Sequence, residues 1–121
     1  MAMFSELLDT IVNKVEGSLA AVIMGMDGIA IEKRSLDETI NVETLAAEYT
    51  SAIRLSSSSA QEVGLGALEE YILLTEDRII TIRMITSDYF LLLLLAREGN
   101  IGRARFELKK AKYLLAKEFV F

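Results

Sequence analysis

Two of the commonest reactive side chains are missing from this chain. It has no cysteine, which excludes disulfides, thiolate nucleophiles and cysteine-ligated zinc. It has no histidine either, so the commonest general base and the commonest metal ligand are gone. A metal site would need carboxylates alone, and no acidic stretch follows the calcium-loop pattern D-x-[DN]-x-[DN]-G. Enzyme chemistry is disfavoured on these grounds, and no cofactor is expected.

An excess of basic charge is also lacking. The net charge is −5, where bulk nucleic-acid binding needs a basic footprint. The N-terminal stretch "MAMFSELLDT" has no basic region and carries acids early, unlike a signal peptide. The apolar run from Tyr89 to Ala96 falls far short of the ~20 residues a membrane span requires. A soluble, cytoplasmic protein with no direct membrane insertion is expected.

What is present suits one folded domain over residues 1–121. Of the 121 residues, 52% are hydrophobic and 26% charged, which is a globular rather than a disordered composition. Two independent halves of about 60 residues would each be marginal.

The opening segment sets Phe4, Leu7, Leu8, Ile11, Val12 and Val15 at helical spacing, with a stop near Gly17. "SLAAVIMGM" (18–26) reads as a strand covered on both sides. Asp27-Gly28 then signals a hairpin, with a return strand from Ile29 to Lys33. Asn41 is a good N-cap. Beyond it, Val42, Leu45, Ala46, Tyr49, Ile53, Ser56, Ala60 and Val63 share one helical face.

That periodicity runs through "RLSSSSAQ" (54–61). Four serines in a row suggest a flexible linker, but serine costs a helix only about half a kcal/mol per residue. No glycine or proline interrupts the pattern before Gly64. The serine run therefore belongs to a helix. Three strands follow, at 67–75, 78–86 and 89–97, the last apolar on both faces and hence central. A final helix from about Ile101 presents Ala104, Leu108, Ala111, Leu115 and Phe119 on one side. The order is αββαβββα, an α+β architecture with a five-stranded antiparallel sheet and helices on both faces.

Candidate chemistry is sparse. Gly64-Leu65-Gly66 follows a helix, whereas a phosphate loop follows a strand, so it reads as a helix stop. Glu69 and Glu70 point to opposite faces of a strand, and Glu76/Asp77 occupy a turn. Neither pair makes a catalytic dyad.

The middle helix offers more. A flank of Ala47, Ser51, Leu55, Ser58, Ser59 and Glu62 is small enough to let a second backbone approach, with Leu55 its one large apolar side chain. These could equally be ordinary exposed positions. The strand at 67–75, if it lies at an edge, leaves backbone groups unpaired. Leu68, Tyr71, Ile72 and Leu73 make it too apolar for a defended edge, although Glu69 and Glu70 blunt one end. Pairing this strand with its counterpart in a second copy would satisfy the edge and bring the two middle helices together. Ala47, Ser51, Leu55, Ser58, Ser59, Leu68, Glu70 and Ile72 are the candidate dimer contacts.

The element order, together with "VIMGMDGIAI" (22–31), "EVGLGALEEYIL" (62–73) and "NIGRARFELKKA" (100–111), resembles the Roadblock/dynein light-chain family. Its MglB-like branch is the nearest in pattern, and the resemblance covers essentially the whole chain. It implies a homodimer joined through the third strand. It also implies a partner, a Ras-like small GTPase, contacted by the paired middle helices, or else a scaffold role in a larger assembly. Candidate GTPase contacts are then Glu43, Ala47, Thr50, Ser51, Arg54, Ser58 and Gln61. An arginine in trans can stabilise phosphoryl-transfer charge, but Arg54 reads better as a solvated helix residue. Such a partner would act by ordering the GTPase's own switch loops. With no long tail after the last helix, a function resting on such a tail is not expected.

Overall fold

The computed structural model describes residues 2–119; Met1, Val120 and Phe121 of the expected domain lie outside the described residues. The elements are α1 (Ala2–Lys14), β1 (Ser18–Gly25), β2 (Ala30–Ser35), α2 (Val42–Glu48), α3 (Thr50–Glu62), β3 (Glu70–Leu74), β4 (Arg78–Met84), β5 (Tyr89–Ala96) and α4 (Ile101–Ala116). A short 3-10 turn, Lys117–Phe119, closes the described chain.

The five strands form one antiparallel sheet in the order β2-β1-β5-β4-β3. Two hairpin systems, β1-β2 and β3-β4-β5, are joined by β1 pairing with β5. β5 is therefore central, as its two-faced apolar sequence requires. Leu91, Leu93 and Leu95 face α1 and α4, packing with Leu8, Ile11, Ala104 and Leu108. Phe90, Leu92 and Leu94 face the other way, onto Val42, Ala46 and Ile53 of α2 and α3.

Local signals set the element ends. The Asn41 side chain accepts from the Thr44 N–H at 3.1 Å, and Asn100 does the same for Arg103 at 2.9 Å. Both satisfy donors that a helix start leaves free. α3 ends in a Schellman turn. The Leu65 N–H reaches the Ala60 carbonyl and Gly64 reaches Gln61, with Gly64 at φ +78. The Asp27-Gly28 hairpin is present, though its loop is wider than two residues and β2 starts at Ala30.

The expected single middle helix is bent rather than continuous. α2 and α3 meet at Tyr49, whose N–H reaches back three residues to Ala46. The Thr50 hydroxyl donates to the Ala47 carbonyl at 2.8 Å, a back-bond that bends helices. The serine run is helical, as its periodicity predicts.

The tightest backbone approach joins the turn after α1 to the turn before α4. Ala96 N–H donates to Gly17 O, and Asn100 N–H to Glu16 O. A Cβ on Gly17 would sit 2.5 Å from the Gly99 Cα, at φ +89. Gly64 has a similar φ but nothing within 4 Å. Gly17→Ala should therefore cost about 2–3 kcal/mol, combining backbone strain with a clash, and Gly64→Ala about 1 kcal/mol. Urea denaturation of the two variants measures the difference.

Candidate partner-binding surface

The surface is built from the side of α3 that turns away from the sheet and from the edge strand β3. α3 touches the core through Ile53, which is fully buried. Thr50 is buried too, and no residue of α3 after Ile53 is. Ser56 and Ala60, expected on the core face, are half-buried, and Val63 is exposed. Beside the serine half lies a cavity of about 650 Å³ lined by Ile53, Ser57, Gln61, Leu68, Met84 and Asp88, among others.

Leu55 is 73% exposed and Leu65 77%. Val63 is exposed as well, so three large apolar side chains between positions 55 and 65 have no cover in the single chain. Sequence periodicity found Leu55 but placed Val63 in the core and passed over Leu65. The signal available was the Schellman turn itself, which tips the residues around Gly64 off the helical face.

β3 has β4 as its one neighbour in the sheet, so its outer edge is open. Tyr71 and Leu73 point to the α2/α3 side and pack into that core, with Leu68 joining them from the preceding loop. Glu70, Ile72 and Leu74 alternate to the α4 side, where Ile72 and Leu74 are exposed. The eight candidate dimer contacts thus fall on three surfaces. Ala47, Ser51, Leu55, Ser58 and Ser59 lie along the helix, Leu68 beneath it, and Glu70 and Ile72 across the sheet.

The candidate GTPase contacts divide similarly. Ser51, Arg54, Ser58 and Gln61 are exposed on α3, and Ala47 is half-buried. The Glu43 carboxylate accepts from Lys33 on β2. Thr50 departs from its expected exposure, because its back-bond to Ala47 turns it inward. Arg54 donates to the Met26 carbonyl at 3.0 Å, which holds the guanidinium against its own β1–β2 loop.

The charged group with the most defined geometry is Glu70. Arg105 of α4 grips its two oxygens bidentately, at 2.8 and 2.9 Å. That hydrogen bonding, with smaller Coulombic help from Arg105, Arg83 and Lys109, holds the Glu70 carboxyl below its ordinary value against the opposing effect of burial. Beside it on β4, Arg83 is buried at 9% exposure. Its Nε has no hydrogen-bond partner. No group of three or more acidic residues among the described ones could hold a metal ion.

The architecture is that of a Roadblock/LC7 domain. A Roadblock/LC7 domain from Streptomyces avermitilis superposes with a TM-score of 0.83 at 18% identity, covering 93% of this chain and 94% of that one. MglC from Myxococcus xanthus gives 0.71 at 28% identity, covering 96% and 98%. An MglB in a tetrameric arrangement gives 0.87 at 17% identity, covering 96% and 87%. By sequence, two uncharacterized proteins of Methanocaldococcus jannaschii are each 27% identical over 99 residues, 82% of this chain and 85% of theirs. The chain belongs to the mitogen-activated protein kinase kinase 1 interacting family, whose model matches residues 3–108.

The Glu70–Arg105 pair has a defined pH signature. A carboxyl held low in the fold stabilises it fully above its unfolded value, and that contribution is lost as pH falls through the folded value. Glu70→Gln should be less stable than the parent chain above about pH 5. The gap should close in more acidic solution. Thermal melts of both proteins from pH 7 to pH 3 test this; a gap independent of pH would contradict the ion-pair account.

Proposed function

We propose that this chain is a homodimeric regulatory partner of a Ras-like small GTPase, working in the cytoplasm, and that it contributes no catalytic group of its own. The observation that carries this reading is the uncovered Leu55 on a flank of small side chains, beside an open sheet edge. An exposed edge strand with apolar residues invites pairing with another strand. A two-fold axis along β3 would extend the sheet across two copies and set the two α3 helices side by side. Tetrameric packing in an MglB of the same fold supports self-association as a habit of this architecture.

The paired α3 helices would then offer a platform of Ser51, Arg54, Ser58 and Gln61 to the GTPase, flanked by Ala47 and Glu43. Arg54 is the one cation among them, and its bond to Met26 speaks against a finger reaching into a partner's phosphates. Hydrolysis would be stimulated by ordering the partner's switch segments. Thr50, turned inward, is left out of this contact set. The competing reading is a scaffold subunit that binds without altering nucleotide turnover.

Two measurements test the proposal. Light scattering at micromolar concentration should give the mass of a dimer. Leu55→Glu should weaken association at least about tenfold, since a buried leucine is worth roughly 1.5–3 kcal/mol. A monomeric parent chain would overturn the dimer. Pull-downs with small GTPases loaded with GDP or a GTP analogue should show preference for the GTP form, and a turnover assay with GTP should then show faster hydrolysis. Equal binding to both forms would favour the scaffold, because a ligand with equal affinity for two states shifts neither.

A further inference from the structure

α4 presents two different faces. Its inner side is part of the core, through Ala104, Leu108, Ala111 and Leu115. Its outer side carries Phe106 and Tyr113, seven residues apart and therefore stacked along one line of the helix. Both are more than half exposed, and Leu114 beside them is 49% exposed. A core helix has no internal reason to spend two aromatic rings on its solvent face.

Charge gathers around the same line. Six of the chain's thirteen basic residues fall between positions 103 and 118, against two acids, Glu107 and the exposed Glu118 at the end. Glu107 is buried, and its carboxylate is taken by Arg103 at 2.9 Å and Lys110 at 3.4 Å. Arg105 is engaged by Glu70. Lysines supply what remains: Lys109 and Lys117 are exposed, the half-buried Lys112 lies 5.4 Å from the Tyr113 ring centroid, and Lys110, although paired with Glu107, lies 5.4 Å from that of Phe106. A protein of net charge −5 thus concentrates positive charge and exposed rings on the outer side of one helix. The neighbouring α1 carries the acids Glu6 and Asp9 on the same layer, and Asp9 is neutralised by Arg34.

We propose that the outer ridge of α4 docks peripherally on an anionic lipid surface. Lysines on long flexible stems, flanking rings at the outermost positions, match a diffuse sheet of headgroup charge over an apolar boundary. A specific acidic protein partner is matched better by arginine forks in a groove. Here the arginines are held by Glu107 and Glu70. No helix among the described residues is long and apolar enough to cross a membrane, so the contact is one of adsorption.

The test is co-sedimentation of the full chain with vesicles of phosphatidylcholine alone and of phosphatidylcholine with phosphatidylserine. Binding should require phosphatidylserine and fall steeply as salt is raised. Each of Lys109→Gln and Lys117→Gln should weaken it about threefold to fivefold. Phe106→Ser with Tyr113→Ser should weaken it at every salt concentration, while circular dichroism shows the fold intact. Absence of binding to the anionic vesicles overturns the proposal. So does retention on immobilised poly-glutamate without vesicle binding, which would assign the ridge to an acidic polypeptide. No GTPase is present in this assay, so its outcome is independent of the GTPase reading.

Discussion

The five consecutive leucines of β5 must all be buried, and no other feature constrains the molecule as strongly. A strand apolar on both faces needs a neighbour on each edge and a layer on each side. β1 and β4 take the edges, α1 and α4 cover one face, and α2 with the start of α3 covers the other. Because both edges of β5 are occupied internally, β3 and β2 are left as the outer strands. The open edge of β3 is thus a consequence of where the leucines had to go.

Cover on the two faces is unequal. α1 and α4 lie along the sheet and bury residues over most of their length. α2 does the same over its shorter span, but the bend at Tyr49 lets α3 leave the sheet after Ile53. The serine half then stands beside a cavity, with Leu55, Val63 and Leu65 outward. A helix built from serine would be a poor core element, since its hydroxyls contribute little apolar area. Here it serves as a helix that is held at one end and presented at the other.

On the opposite face, polar groups are drawn into the layer and, the Arg83 Nε excepted, answered there. Glu107 is buried and paired by its own helix, Thr81 is buried on β4, and Glu70 is fixed by Arg105. These pairings absorb the arginines of α4 and leave its lysines and rings to the outside. The helix is a core element inward and a charged surface outward, with Arg103 and Lys110 bridging the two through Glu107.

The regular parts were legible because their signals are local. The periodicity of Phe4, Leu8, Ile11 and Val12, the Asn41 cap, the Gly64 stop and the alternation of Ile80, Ile82 and Met84 each involve residues a few positions apart. Helix and strand geometry therefore fix them without reference to the rest of the fold. The same logic correctly assigned the serine run to a helix and the candidate contacts Ser51, Leu55, Ser58 and Gln61 to its exposed sides.

What the tertiary structure alone decided depends on residues far apart in the chain. The pairing of β1 with β5 joins segments some 70 positions apart, and no local pattern encodes it. The burial of Glu107 and the bidentate grip on Glu70 follow from that assembly. Each is set by which surface the element meets, and a side chain's own neighbours in sequence do not carry that information.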